Sequence, residues 1–129
     1  MKTILLIEDH YDSARLVIRT LEAHDYRVFH ASDGESGLKM ATKEKPDLIL
    51  LDMGLPDVEG QTLISLIKNI PELAEAPIIA VTAWPPDTAR QMIQAYGCDG
   101  YISKPISPKT FPSQIAAYLD PRMENDPTR

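Results

Sequence analysis

Side chains that can bind a metal ion or take part in group transfer follow apolar segments at four places in this chain. They are Glu8 with Asp9, Asp52, Thr82, and Lys104. If the three carboxylates share one cleft, their mutual repulsion requires a cation to neutralise it. The cation should be hard, because these ligands are oxygens and no Cys–His set accompanies them. The sequence therefore predicts a site for Mg²⁺ or Mn²⁺.

Asp52 is predicted to be the reactive residue. The apolar run Leu48–Leu51 ends directly in Asp52, and Gly54, Pro56 and Gly60 then break the pattern. A short apolar run bounded by turn residues is typical of a strand that is buried on both faces of a parallel sheet. Ligands bind at the carboxyl ends of such strands. A carboxylate placed there is costly unless it is paired or bound to a metal.

The chemistry that fits these residues is transfer of a phosphoryl group to the Asp52 carboxylate. Mg²⁺ held by few carboxylates keeps water ligands and accepts phosphate oxygens. Phosphoryl transfer depends mainly on positioning and on neutralisation of charge, and a carboxylate can be the nucleophile. Lys104 would supply a positive charge for one phosphoryl oxygen, and Thr82 would supply a hydroxyl for another.

Apolar segments alternate with segments of helical spacing along the chain. We predict strands at Thr3–Ile7, Arg27–His30, Leu48–Leu51, Ile78–Val81 and Gly100–Ile102. This alternation implies a parallel sheet with right-handed crossovers and helices on both faces. The predicted fold is a three-layer (βα)5 α/β fold of the flavodoxin-like kind, with a doubly wound parallel sheet in strand order 2-1-3-4-5. Strands 1 and 3 are neighbours in this order, so Glu8, Asp9 and Asp52 should lie close together.

The helices are predicted from apolar spacing and from capping residues. The first helix has Asp12 as its N-cap, followed by Ala14, Val17, Ile18 and Leu21, and the second spans residues 34–45 with Leu38 and Ala41. The third is marked by Leu63, Leu66 and Ile67. The fourth has Asp87 as its N-cap and ends at Gly97, and the fifth is marked by Ile115 and Leu119. Ser107-Pro108 would open the fifth helix. Since Pro112 inside this pattern removes a backbone donor, that helix either begins near Phe111 or is distorted in its first turn.

Composition and charge narrow the functional class. The chain of 129 residues suits one domain, placed at 1–120, and the remainder 121–129 is predicted to be disordered because it has no apolar periodicity. A net charge of -6 and the lack of a basic run argue against nucleic-acid binding. No apolar run reaches the about 18 residues of a membrane span. The lone Cys98 excludes an internal disulfide and suits a small buried hydrophobe in a reducing cytoplasm.

Four motifs together resemble the receiver domain of two-component response regulators. They are Glu8-Asp9, Asp52 in Asp-Met-Gly-Leu-Pro, Thr82-Ala83, and Tyr101-Ile-Ser-Lys104-Pro105. One motif alone would be weak, but all four occur in order and at the family's spacing, from Met1 to about Asp120. Because no output domain follows, we expect a stand-alone receiver, similar to those of chemotaxis and especially of cell-cycle phosphorelays.

The resemblance implies that Asp52 accepts a phosphoryl group from a histidine kinase or a phosphotransfer protein. Asp9 and Asp52 would bind Mg²⁺ directly. Glu8 would act mostly through water, and the backbone carbonyl of Gly54 would complete the protein ligands. Lys104 would pair with the phosphoryl group. The protein would be a signalling phosphoacceptor that assists only its own phosphorylation and dephosphorylation, and not an enzyme.

A conformational switch is also implied by the resemblance. Thr82 would shift to hydrogen-bond the phosphoryl group, and Tyr101 would turn inward into the space that this shift leaves. Helix 4, strand 5 and helix 5 would form the surface that a downstream protein reads, and the protein would be a monomer or a weak dimer. The Lys104–Pro105 peptide would be cis, because cis is accessible at low cost only before proline.

Three other functions are alternatives to the receiver for this sequence. A phosphatase of the haloacid dehalogenase type normally has a second Asp two residues after its nucleophile, where this chain has Gly54. A pseudo-receiver, which binds partners without phosphorylation, would not need the intact acid pair, Asp52, Thr82 and Lys104. A flavin carrier on the same fold needs a phosphate-binding loop after strand 1, where Glu8-Asp9 would repel an anion.

Trp84 and the histidines are interpreted individually. Trp84 stands two residues past Thr82 and before Pro85-Pro86. It either packs on the rim of the protein or partly covers the site against water, with the prolines stiffening the loop; a partner-facing role is a further possibility. His10 is interpreted as a loop residue and not a ligand, because an oxygen site prefers Mg²⁺. His24 and His30 are given no role.

Overall fold

The computed structural model describes residues 1–55 and 57–119, and these form alternating strands and helices. The strands are β1 Thr3–Ile7, β2 Arg27–Ala31, β3 Leu48–Asp52, β4 Ile78–Thr82 and β5 Gly100–Ser103. The helices are α1 Tyr11–Glu22, α2 Gly34–Glu44, α3 Gly60–Lys68, α4 Pro86–Tyr96 and α5 Phe111–Leu119, with a short 3₁₀ turn at Pro71–Leu73. The predicted alternation is confirmed. No helix in the described part is long and apolar enough to cross a membrane.

The sheet is parallel throughout its described strands and has the order β2-β1-β3-β4-β5. This order confirms the flavodoxin-like topology predicted from the sequence. Every residue of β3 and β4 is buried, because helices cover both faces of the sheet at its centre. Both strands therefore consist of continuous apolar runs with no alternation. Each run ends in a polar residue, Asp52 in β3 and Thr82 in β4.

Two hydrophobic cores lie on opposite faces of the sheet. Alternate strand residues such as Leu6 and Leu50 pack with α1 and α5, whereas Ile7 and Leu51 pack with α2 and α3. Successive strand side chains point to opposite faces, so each strand contributes to both cores. Burial of each such side chain stabilises the fold by about 1.5–3 kcal/mol before conformational entropy is counted.

Several predicted helix markers are wrong in detail. Asp12 lies in the first turn of α1, whose N-cap position is taken by His10 without a side-chain cap bond. Asp87 likewise lies in the first turn of α4, because Pro85 is its N-cap and Pro86 opens it. Proline suits the first helical position, where the missing N–H has no intrahelical partner. Gly97 ends α4 as predicted, at a φ of 81° that favours glycine.

The inner face of α3 and the start of α5 also differ from prediction. Leu66 is 44% exposed, and Ile64 is buried in its place. The last helix does not open at Ser107-Pro108 but begins at Phe111, the later of the two predicted starts. Pro112 is thus the second helical residue, where its missing N–H costs no helical hydrogen bond. Residues 121–129, predicted to be disordered, and Asp120 lie outside the described residues.

Candidate functional site at the carboxyl edge of the sheet

The parallel sheet delivers the predicted side chains to one edge. Ile7 of β1 is the register partner of Leu51 in β3, so Glu8 follows β1 beside Asp52. Asp52 is in turn the register partner of Val81, which places Thr82 one residue further along β4. In all three strands the apolar run fixes the register, and the first polar residue emerges at the carboxyl end.

Four potential metal ligands cluster at this edge. One ligand atom from each of Glu8, Asp9, His10 and Asp52 lies within 4.8 Å of all the others. Glu8 and Asp52 are buried, at 4% and 6% exposure, and the Asp9 side chain is 26% exposed. Three carboxylates so close together fit a hard divalent cation, because oxygen donors and high negative charge are what Mg²⁺ prefers. The cluster therefore suits the predicted kind of ion.

Lys104 supplies the positive charge of the site. Its Nζ lies 3.2 Å from Asp52 Oδ1 and 3.6 Å from Glu8 Oε1. The residue is held in place by its backbone, since Lys104 N donates to the carbonyl oxygen of Thr82 at 2.8 Å. The peptide between Lys104 and Pro105 is cis, which confirms that prediction. A lysine so placed can neutralise charge on Asp52 or on a group attached to it.

The pKa values of the two buried carboxyl groups are shifted in opposite directions. Burial raises the pKa of Glu8, and hydrogen bonding to Asp52 raises it further. Burial also acts to raise the pKa of Asp52, but the hydrogen bond with Glu8 and the charge of Lys104 outweigh it, so this pKa lies below its ordinary value. Asp52 therefore remains ionised at neutral pH. An ionised oxygen is what nucleophilic attack on phosphorus requires.

Thr82 and Trp84 form a turn next to the acidic cluster. The Thr82 hydroxyl is buried and accepts a hydrogen bond from the backbone N–H of Trp84 at 3.0 Å. The Trp84 ring packs edge-on against Tyr96 of α4, with ring centroids 6.3 Å apart and an interplanar angle of 72°. Trp84 also lines a cavity of about 410 Å³ together with Met53 and Leu55. This position gives Trp84 a packing role, and its covering role stays a prediction.

A second cavity, of about 430 Å³, reaches Asp52 itself. It is lined by side chains from α1, the carboxyl ends of the strands and the segment after β5: Leu6, Glu8, Ser13, Leu16, Val17, Asp52, Val81, Ala83, Lys104, Pro105 and Ile106. Most of this lining is apolar, whereas the charged groups gather at the Asp52 end. The site therefore combines a reactive carboxylate with an adjoining apolar surface.

The two remaining predicted site residues, Tyr101 and Gly54, lie in β5 and shortly after β3. Tyr101 is half-buried in β5, where its register partner is Ala80 of β4. The backbone N–H of Gly54 points to Asp52 Oδ1 at 3.4 Å. The roles predicted for them, an inward turn of Tyr101 and a carbonyl ligand from Gly54, stay predictions.

Sequence reasoning gave no role to His30 and Asp57, which hydrogen-bond to backbone groups elsewhere in the chain. His30 of β2 places Nε2 2.8 Å from the backbone carbonyl oxygen of Glu8. Asp57 accepts hydrogen bonds from the backbone N–H groups of Gly34 and Glu35, at 2.8 and 3.1 Å. The bonding partners are backbone atoms more than twenty residues away along the chain, so no local motif signals these contacts.

His10 lies closer to the acidic pair than expected for a free loop residue. Its Nδ1 is 3.2 Å from Asp9 Oδ1 and 3.6 Å from Glu8 Oε2, although the side chain is 72% exposed. Its backbone N–H also donates to Glu8 Oε2 at 3.2 Å. The interpretation of His10 as a loop residue and not a ligand stays a prediction.

Comparison with known proteins identifies the family. The profile of the response regulator receiver domain family matches residues 4–116. The chain belongs to this family, whose members act in two-component signalling as phosphoacceptors. The fold, the cluster of acids at the sheet edge and the lysine after β5 agree with this assignment.

One relative found by sequence and two solved structures are similar to this protein over nearly the whole chain. The polar-differentiation response regulator DivK of Brucella anthropi is 36% identical over 118 residues, which cover 92% of this chain and 96% of that protein. The chemotaxis protein CheY4 of Vibrio cholerae is 25% identical with a TM-score of 0.86, covering 92% and 98%. The receiver domain of sensor histidine kinase PA1611 from Pseudomonas aeruginosa, solved with magnesium in its active-site cleft, is 26% identical with a TM-score of 0.83, covering 92% and 97%.

Proposed function

We propose that this protein relays a signal by accepting a phosphoryl group on Asp52 from a histidine kinase or a phosphotransfer protein. The observation that carries the proposal is the buried Asp52 carboxylate, held between the acidic cluster and Lys104 Nζ, which lies 3.2 Å from Asp52 Oδ1. In the transfer, Asp52 Oδ forms a bond to phosphorus while the bond from phosphorus to the donor's imidazole nitrogen breaks. The negative charge added at Asp52 would then change the conformation of the protein and its binding of partners. In this function, the phosphoryl donor takes the place of a substrate.

Asp9 and Asp52 are the residues that would hold Mg²⁺ directly, with Glu8 acting through water and the Gly54 carbonyl as a further ligand. The ion would neutralise negative charge on the cluster and on the phosphoryl oxygens. The oxygen-only carboxylate set supports Mg²⁺, and Mn²⁺ shares the same ligand preference. The relative from Pseudomonas aeruginosa, with its coordinated magnesium, supports the same assignment.

Lys104, Thr82 and Tyr101 would respond to the phosphoryl group. Lys104 Nζ, now paired with Asp52, would pair with a phosphoryl oxygen. The Thr82 hydroxyl would exchange its bond to Trp84 N–H for one to the phosphoryl group, and Tyr101 would then turn inward. Because these residues lie at the ends of β4 and β5, the change would reach the surface formed by α4, β5 and α5. A downstream protein would read that surface.

The phosphodonor protein would dock beside the Asp52 cavity. A donor imidazole must approach phosphorus in line with Asp52, so the donor has to cover the surface around this opening. That surface includes Leu16 of α1, at 42% exposure, and the exposed Pro105, both of which line the cavity. Exposed apolar side chains around a reactive group are typical of protein–protein contact. We propose a monomer or weak dimer with protein partners and without nucleic acid.

Removal of the metal tests the proposed function. With acetyl phosphate and Mg²⁺, intact-mass measurement should find one phosphoryl adduct per chain, and EDTA should lower its formation rate by at least about tenfold. Mn²⁺ added after EDTA should restore it. An adduct that forms equally well in EDTA would contradict the metal assignment. No adduct under any condition would favour a pseudo-receiver, and steady release of phosphate from small phosphate esters would favour a phosphatase.

Trp84 is proposed to limit access of water to the phosphorylated site. Replacement of Trp84 by alanine should shorten the half-life of the phosphorylated protein by about three- to tenfold in Mg²⁺, because exclusion of water protects a reactive phosphoryl group. Tyr96→Leu is the matched control, since it removes the ring packed on Trp84 and keeps the indole. Equal half-lives for wild type and Trp84→Ala would contradict the covering role, and Trp84 would then have only a packing role.

A further inference from the structure

The segment 53–59, here called the phosphoacceptor loop, connects Asp52 at the end of β3 to the start of α3 at Gly60. Its two ends are fixed by these elements. A third attachment lies within the loop, at Asp57, whose two carboxylate oxygens accept from Gly34 N at 2.8 Å and from Glu35 N at 3.1 Å. These N–H groups belong to the first turn of α2, where helical donors have no partner within the helix.

The first turn of α2 is therefore capped from two sources. Asp33, its own N-cap, accepts from Ser36 N at 2.7 Å, and Asp57 of the phosphoacceptor loop satisfies the two donors before it. The Gly34 and Glu35 bonds lower the pKa of Asp57, so its carboxylate is ionised at neutral pH. Hydrogen bonds to an ionised acceptor are stronger than neutral ones, and the positive end of the helix dipole favours the same charge.

Gly34 permits this close approach. A Cβ at Gly34 would lie 2.8 Å from Val58 Cγ2, which is closer than non-bonded atoms tolerate, and 3.3 Å from Asp57 Oδ1, which is a tight contact. The loop thus rests on the backbone of α2 at the two residues Asp57 and Val58. Packing and hydrogen bonding therefore attach the loop to α2 at Asp57 and Val58.

We infer that Asp57 is a positioning residue. It attaches the phosphoacceptor loop to α2 and thereby positions the Gly54 carbonyl to bind the metal. The inference rests on the proposed function, because it concerns the metal that Asp52 uses. Gly54 lies between the fixed Asp52 and the fixed Asp57, so both attachments limit its backbone. A ligand carbonyl on a loop that lacks the second attachment must be ordered when the metal binds, and this ordering weakens binding.

The matched pair Asp57→Ala and Asp33→Ala tests the inference. Each variant removes a side-chain cap from the first turn of α2, but Asp33→Ala leaves the loop attachment in place. Mg²⁺ affinity measured by isothermal titration calorimetry should fall by about tenfold or more in Asp57→Ala, as for other residues that orient metal ligands. It should stay within about twofold of wild type in Asp33→Ala, although both variants are expected to lose stability in thermal unfolding.

Asp57→Asn gives the rescue. Its amide keeps one oxygen that can accept from Gly34 or Glu35, so its Mg²⁺ affinity should lie between those of wild type and Asp57→Ala. This variant also serves if Asp57→Ala fails to fold. If wild type binds Mg²⁺ and is phosphorylated, but the Asp57 and Asp33 variants bind Mg²⁺ with equal affinity, the inference is overturned. The proposed function would not be affected by that result. A wild type that binds no Mg²⁺ and gains no phosphoryl group would instead contradict the proposed function.

Discussion

Replacement of Asp52 by asparagine is expected to lower phosphoryl incorporation from acetyl phosphate by at least about 10³-fold, a loss similar to that seen when the nucleophile of an enzyme is removed. The amide has no ionised oxygen, so it cannot form the acyl phosphate bond. The substitution is nearly isosteric and leaves β3 with the same apolar run, so the fold should be retained. Circular dichroism and intact-mass measurement on the same sample separate loss of chemistry from loss of structure.

Asp33→Asn is the control for this variant. It makes the same chemical change at another carboxylate, and asparagine caps a helix about as well as aspartate. Its rate of phosphorylation should match that of wild type. If Asp52→Asn were phosphorylated at the wild-type rate, another residue would be the acceptor and the assignment of Asp52 would be wrong.

Replacement of Lys104 by methionine is expected to separate phosphorylation from metal binding. The rate of phosphorylation should fall by about 10- to 10³-fold, because a fixed positive charge no longer stabilises the charge on the transferring group. Mg²⁺ should bind about three- to tenfold more tightly, because Nζ, at 3.2 Å from Asp52 Oδ1, no longer repels a second cation. Calorimetry and single-turnover mass spectrometry measure the two effects.

Lys109→Met is the control, since Lys109 is an exposed lysine in the segment before α5. Neither property should change in that variant. If Lys104→Met weakened Mg²⁺ binding as strongly as it slowed phosphorylation, Lys104 would act by holding Glu8 and Asp52 in place. Its proposed pairing with the phosphoryl group would then be contradicted.

The strands and the reactive edge of the sheet could be predicted because their signals are local. A strand such as Leu48–Asp52 is buried on both faces, so its apolar run is continuous and stops where the sheet ends. Parallel strands bring such ends together, so the sequence alone predicts that Asp52 lies beside Glu8. The chemistry of the site followed from residue type at those ends.

Details that depend on tertiary contacts could not be predicted from the same signals. Leu63, Ile64, Leu66 and Ile67 are all apolar, so helical spacing alone left open which of them faces the core, and Leu66 was assigned inward wrongly. Asp12 and Asp87 have the right residue type for a cap, but the helices begin one residue before each of them. Helix ends depend on where the preceding loop turns, which these residues do not determine.

The same limit applies to the surroundings of the site. Asp57 and His30 bind backbone groups of other elements, and neither the Gly34 N–H nor the Glu8 carbonyl has a signature in the sequence. Every non-proline residue carries these groups, so only the register and packing of the fold decide which of them a side chain reaches. Such contacts are therefore found from the structure.

The central claim, that Asp52 carries phosphorus, is tested most directly by locating the modified residue. The wild-type protein would be incubated with acetyl phosphate and Mg²⁺, reduced with borohydride to convert an aspartyl phosphate to homoserine, digested and sequenced by mass spectrometry. The account predicts conversion at Asp52 alone, and loss of the conversion when EDTA is present during phosphorylation. Conversion at Asp9 or Asp57 with Asp52 unmodified, or no conversion in a protein that binds Mg²⁺, would contradict it.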